Sequence, residues 1–198
     1  GLDELGAFVD EIRTARIAHF TGYTLLDGPM LPVVLQAMAA AREAGVLVSL
    51  DVADPFVVLG IRERLWSILG EHVDIVFLNA EEARALTDHA PEQAAEIVAR
   101  HAKVRTVVVK LGSRGSMIWH DGETHMIGIR KVEAVDTTGA GDAYAGGFLF
   151  GYLRGWEMAR CGALASAVAA ATVGQLGAVV RDNHRLRALV DEIAPAAV

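Results

Sequence analysis

Short, mostly apolar runs alternate with helix-patterned stretches along this chain, and that alternation narrows the folds open to it more than any other feature. Ile17-Ala18-His19-Phe20, Val46-Leu47-Val48-Ser49-Leu50, Asp74 to Leu78 and Thr106 to Lys110 are each about one strand long. Between and before them lie helical patterns: Leu5, Phe8, Val9 and Ile12; about Pro29 to Ala44, closed by Gly45; about Val58 to Leu69; and the alanine-rich Pro91 to His101. Strands that are apolar on both faces are covered on both faces, and helices between successive strands supply the crossovers of a parallel sheet. The sequence therefore predicts an α/β fold, a layered, parallel-cored sheet with helices on both faces.

After Gly112 the pattern changes. Ser116 to Trp119 and Glu123 to Ile127 flank Asp121-Gly122, a strong hairpin turn signal, so a small antiparallel hairpin is expected there. Val132 to Val135 reads as a further strand, Ala140 to Val173 as two close-packed helices with a break near Trp156, and Asn183 to Ile193 as a last amphipathic helix. At 198 residues, with no repeat or linker, the chain is expected to form one domain over residues 1–198.

Composition removes several function classes. With 53% hydrophobic residues the chain has ample apolar surface to bury, which excludes intrinsic disorder. A net charge of −7 argues against surface-wide attraction to nucleic acid or anionic membrane. The uncharged stretch Cys161 to Val180 is as long as a membrane span, but alanine and glycine dominate it, so a tightly packed interior helix is expected instead. The acidic start Gly1-Leu2-Asp3-Glu4 does not read as a signal peptide, and the single cysteine, Cys161, suits a reducing compartment; a cytoplasmic location is the expectation. The seven histidines show no metal-ligand spacing, and there is no G-x-S-x-G elbow.

The chemistry concentrates in Asp136-Thr137-Thr138-Gly139-Ala140-Gly141-Asp142, at the entrance to a helix. Small residues let backbone approach a ligand, and unpaired amides at a helix start receive anionic oxygens. An acid beside an anion site needs a task, and a base that takes the proton of an alcohol during phosphoryl transfer meets that need in Asp142. The alternative is a plain strand-to-helix turn in which Asp142 only favours the helix dipole. The third glycine of a dinucleotide fingerprint is missing, and no lysine completes a Walker A loop.

The run Asp136 to Asp142, continued by Ala143-Tyr144-Ala145-Gly146-Gly147-Phe148, resembles the C-terminal signature of ribokinase-like (PfkB) carbohydrate and nucleoside kinases. Asn79-Ala80-Glu81-Glu82 is similar to that family's N-x-x-E motif, and Lys110-Leu111-Gly112-Ser113-Arg114-Gly115 to its nucleotide loop. Thr21-Gly22-Tyr23 and Asp54-Pro55-Phe56 look most like the adenosine-kinase-like and sugar-kinase branches. The resemblance runs over essentially the whole chain but over only the C-terminal two-thirds of a usual member. It implies that the N-terminal segment, with its lid and most substrate contacts, is absent, that an apolar strand edge is exposed, and that the chain either forms a homo-oligomer or is completed by that segment.

For individual positions the resemblance implies a general base at Asp142 and charge stabilisation by the amides of Gly139, Ala140 and Gly141. Asn79 and Glu82 would place Mg²⁺, its waters and the phosphates of ATP, although Asn-x-x-Glu is also a capping box needing no ligand. Gly112, Ser113 and Gly115 would lie along the nucleotide, or form an ordinary loop into the hairpin. Lys110 would face phosphate or reach solvent. Asp136 and Thr138, with the carbonyls of Thr172, Gln175 and Gly177, would bind K⁺, or Asp136 would only cap its loop. The implied activity is ATP-dependent phosphorylation of a sugar or nucleoside hydroxyl; the rival is a non-catalytic nucleotide-binding fragment or pseudokinase lacking the substrate-binding half.

Overall fold

The computed structural model describes residues 9–194. Of the first helical pattern, Leu5 and Phe8 lie outside the described residues, while residues 9–14 are helical. The elements then run β1 (Ile17–Thr21), α1 (Met30–Glu43), β2 (Leu47–Asp51), α2 (Pro55–His72), β3 (Ile75–Asn79), α3 (Ala80–Thr87), α4 (Pro91–Ala102), β4 (Thr106–Lys110), β5 (Ser116–His120), β6 (Glu123–Ile127), α5 (Ala140–Leu153), α6 (Met158–Val173) and α7 (Asn183–Ile193). The six strands form one sheet in chain order, β1 at one edge. Its pairs β1–β2 and β2–β3 are parallel, with Thr21 opposite Asp51 and Asp51 opposite Phe77. This is the expected α/β architecture, a mixed, mostly parallel sheet with helices around it.

Local chemistry accounts for the boundaries. Pro55 and Pro91 open α2 and α4, where a missing N–H costs nothing. Asp54 caps α2 by accepting from the Phe56 amide at 2.7 Å, and Asp182 caps α7 by accepting from His184 and Arg185. Asp121 and Gly122, both at positive φ, make the tight turn between β5 and β6. Arg105 clasps the Asp121 carboxylate with two nitrogens, fixing that turn from one side.

Two readings change. Helix α3 is added to the expected elements: the sequence marks it only by the Asn79-x-x-Glu82 capping pattern, because eight residues are too few to display a helical period. Residues 132–135 form no strand. Val132 and Val135 are about half exposed, and the amides of Val135 and Asp136 both donate to the Val173 carbonyl, at 2.9 and 3.2 Å. Valine favours extended backbone, but a strand also needs a ladder partner, and here the end of α6 takes those hydrogen bonds.

Packing divides the chain into two compact units, one comprising residues up to Val109 with Trp119–Glu123, the other Lys110–Ile118 with the chain from Thr124 onward. In the first, β2, β3 and β4 are buried almost throughout, and Val57, Val58, Leu65, Leu69, Leu86 and Val98 complete the core. Edge strand β1 is more exposed.

The second unit is built on α5 and α6. Glycine, alanine and cysteine line their contact, so the backbones approach closely: a Cβ at Gly147 would lie 2.9 Å from the Ala165 Cα. Buried Cys161 packs in this seam, and burial pushes its thiol up to about 11, so it stays a protonated packing group. Replacing Gly147 with Val should therefore force the two helices apart and lower unfolding free energy by about 1–3 kcal/mol, read as a shift in the denaturant midpoint.

Candidate active site

In the first unit the candidate residues gather where β1, β2 and β3 end. Asp51, the last residue of β2, is buried and accepts from the Ala53 amide at 3.1 Å. That bond holds Ala53 at φ 75°, a left-handed conformation that a non-glycine residue adopts at a cost of about 1–3 kcal/mol. Two residues past Ala53, α2 begins, and its capping residue Asp54 also accepts from the Tyr23 hydroxyl at 3.2 Å. Strand β3 ends at Asn79, which starts α3. Its side-chain oxygen accepts from the amides of Glu81 and Glu82, both at 2.9 Å. Glu82 reaches back, one oxygen accepting from the Asn79 amide at 2.8 Å and the other from the Asn79 side-chain amide. This is a complete capping box, and Glu82 is 1% exposed. Two donors from Asn79 satisfy this deeply buried carboxyl group at the start of α3.

The second unit holds the glycine-rich turn. Asp136 organises it: Oδ1 accepts from the Thr138 amide at 2.9 Å and Oδ2 from the Gly177 amide at 3.0 Å. Hydrogen bonds from Thr138, through its side chain and its amide, and then from the Gly177 amide hold the Asp136 carboxyl below the usual carboxylate range. Gly139 follows at φ 73° and begins α5. A Cβ there would come within 2.7 Å of the Ala178 carbonyl oxygen, so the position excludes a side chain by space as well as by backbone conformation. The Ala140 amide donates to Thr137 at 3.2 Å and is thus already engaged within the turn.

Asp142 is the third residue of α5 and its side chain is exposed. Lys110, at the end of β4, brings its Nζ to 3.2 Å from the point where a Gly141 Cβ would be. Its ammonium thus sits at the positive end of α5, where two positive features converge on one spot. Residues 112–115 form a tight loop in which Leu111 donates to the Gly115 carbonyl at 2.8 Å and Gly115 to that of Gly112 at 3.0 Å. Ser113, between them, is exposed.

The residues read as cation ligands lie on the two segments that Asp136 joins. Thr172 is buried, donates its hydroxyl to Val168 and accepts at its carbonyl from the Gln175 amide at 3.3 Å. Gln175 donates its side-chain amide to Val179 at 3.0 Å. No group of three or more His, Cys, Asp or Glu is placed to hold a metal among the described residues.

Sequence reasoning missed three features. One is Asp51 with its strained turn. The second is an open groove of about 470 Å³ lined by residues 175–179, Arg181 and Asp182, in which Leu176 and Val179 stand exposed. The third is a buried hydrogen bond between Ser116 and Tyr144. None carries a spacing signal: the first two are local loop conformations that no period or motif marks, and the third joins residues 28 positions apart through tertiary folding.

The family model for pfkB family carbohydrate kinases matches residues 2–184. The chain belongs to that family. An uncharacterized sugar kinase of Archaeoglobus fulgidus is 32% identical over 176 residues, covering 86% of this chain and 66% of that protein. Among solved structures, adenosine kinase from Sinorhizobium meliloti superposes with a TM-score of 0.87 at 30% identity, covering 94% of this chain and 57% of that one. Aminoimidazole riboside kinase from Salmonella enterica, complexed with aminoimidazole riboside and an ATP analog, gives a TM-score of 0.77 at 25% identity, covering 88% and 62%. This pfkB-family chain therefore spans less than two thirds of each relative it matches here. No helix among the described residues is long and apolar enough to cross a membrane.

Asp136 supplies a direct check on the turn. Its folded pKa is depressed, so its hold on the Thr138 and Gly177 amides is complete above the unfolded value and is lost as pH falls through the folded one. An NMR titration of those two amides should show a common midpoint below the reference carboxyl value of 3.8.

Proposed function

We propose that this pfkB-family protein transfers the γ-phosphate of ATP to a hydroxyl of a sugar or nucleoside, with residues 1–198 serving as a nucleotide-binding and catalytic domain. One observation carries the reading: the start of α5, the Lys110 ammonium and the Asp142 carboxylate share a single turn of structure. An anion site alone fits many ligands. An anion site with an exposed carboxylate in its first turn fits a reaction in which a neutral alcohol meets a phosphoryl group.

In that reaction Asp142 accepts the proton of the acceptor hydroxyl as its oxygen bonds to the γ-phosphorus. The bond from phosphorus to the bridging oxygen breaks, and ADP leaves with the electron pair. Charge growing on the transferring group is met by the α5 N-terminus at Gly139 to Gly141 and by Lys110. Gly112, Ser113 and Gly115 lie along the nucleotide, and the groove beside Ala178, with its exposed Leu176 and Val179, offers apolar surface to the base. The Salmonella kinase with its riboside and ATP analog supports the substrate classes.

Oxygen donors suit Mg²⁺. Asn79 and Glu82 fit it through water, since each Glu82 oxygen already accepts from Asn79 while a carboxylate oxygen keeps a second lone pair. Bound there, the ion would neutralise phosphate charge. The same lone-pair count leaves Asp136 able to face K⁺ together with the carbonyls of Thr138, Thr172, Gln175 and Gly177, all on the two segments it already joins.

In the full-length protein, Asp142→Asn should lower kcat by on the order of 10²-fold or more while Mg-ATP binding, measured by calorimetry, survives. Near-normal kcat would sink the base assignment. ATP binding by the wild type with no transfer to any sugar or nucleoside would favour the pseudokinase. For the monovalent site, turnover in K⁺ should exceed that in tetramethylammonium at matched ionic strength, and equal rates would discard it.

A further inference from the structure

We propose that the buried hydrogen bond between Ser116 and Tyr144 is a positioning device for phosphoryl transfer, holding the nucleotide loop and the helix that bears Asp142 in one fixed relation; this rests on the kinase reading above. The two hydroxyl oxygens are 2.6 Å apart, with Ser116 1% and Tyr144 7% exposed. Ser116 directly follows Gly115, the residue that closes the nucleotide loop. Tyr144 lies two residues beyond Asp142, about 200° around the helix, so its ring is buried while Asp142 faces outward. The bond therefore joins the two segments whose separation sets where a phosphoryl group sits relative to its base.

Its surroundings make a purely stabilising role a poor explanation. Met117, Ile118, Ala145, Phe148 and Cys161, its neighbours in sequence and in the helix seam, are all buried. In such a place a hydroxyl without a partner is destabilising, whereas two apolar groups of similar shape pack without that risk. What the polar pair adds is a directional restraint with a single optimum, which apolar contact lacks. Burial pushes the Tyr144 phenol up to about 12, so it remains an O–H across the working pH range and the restraint does not titrate away. Phosphoryl transfer rewards such a restraint, because a displacement of about 1 Å between reacting groups lowers rate far more than binding.

The test compares Tyr144→Phe, Ser116→Ala and the double variant in the full-length protein by steady-state kinetics, ATP calorimetry, thermal unfolding and hydrogen exchange. In each variant kcat should fall roughly tenfold, with ATP affinity within about threefold of wild type. Exchange should quicken in residues 112–116 and 137–143. The double variant should lose no more rate than either single one, since one bond is removed in all three. A Tyr144→Phe protein whose kcat stays within about twofold of wild type, with exchange in both segments unchanged, overturns the proposal whatever its melting temperature. That result is separable from failure of the kinase reading, which Asp142→Asn tests by itself.

Discussion

The left-handed turn at Gly139 is the constraint on which the second unit depends. Once φ there reaches 73° and Ala178 occupies the space a side chain would need, the chain has to enter α5 at that point. The Lys110 Nζ then lies beside Gly141 in its first turn. Asp136 secures the turn from behind by accepting from Thr138 on one side and Gly177 on the other, so a single carboxylate fixes two loops distant in sequence. The free energy involved is modest, because an exposed carboxylate exchanges hydrogen bonds with water for those it makes to the amides. The geometric return is larger, because helix-terminal amides act on an anion only when they are held still before it arrives.

Buried polarity in both units is arranged by one rule. Glu82, Asp51, Ser116 and Tyr144 are all withdrawn from water, and each has a hydrogen-bonding partner. No described side-chain nitrogen or oxygen that is buried lacks one. The capping box at Asn79 and Glu82 follows the same rule: the interaction that begins α3 also fixes a carboxyl group and an amide in a defined orientation at the end of a sheet strand. Strand ends of parallel sheets are where ligands bind in such folds, because helix N-termini and strand carboxyl ends meet there.

The relatives set the frame for interpreting the chain. It spans 66% of the Archaeoglobus sugar kinase and 57% of the Sinorhizobium adenosine kinase, and within that span lie the motifs by which its sequence resembles the family. Those motifs are made of backbone, glycine and single carboxylates. Acceptor choice depends instead on side chains shaped to one molecule. The family is thus legible from residues 79–142 while the acceptor is not.

By itself the sequence determined the element order, because period and turn chemistry act over a few residues: Thr106–Lys110, the Asp121-Gly122 turn and the last helix lie where their patterns put them. It also determined the composition of the glycine-rich turn, since glycine, threonine and aspartate there answer to local backbone demands. Only the tertiary structure decided that Val135 and Asp136 bond to the end of α6 and that residues 132–135 stay out of the sheet. It likewise decided that Lys110 stands over Gly141, that both Asp136 oxygens are taken by amides, and that Ser116 meets Tyr144. Apart from the Asp136–Thr138 bond, these contacts join residues 28 to 41 positions apart, and no local pattern specifies such a meeting. Close packing of α5 on α6, with glycine and alanine in the seam, is what brings them to a single arrangement.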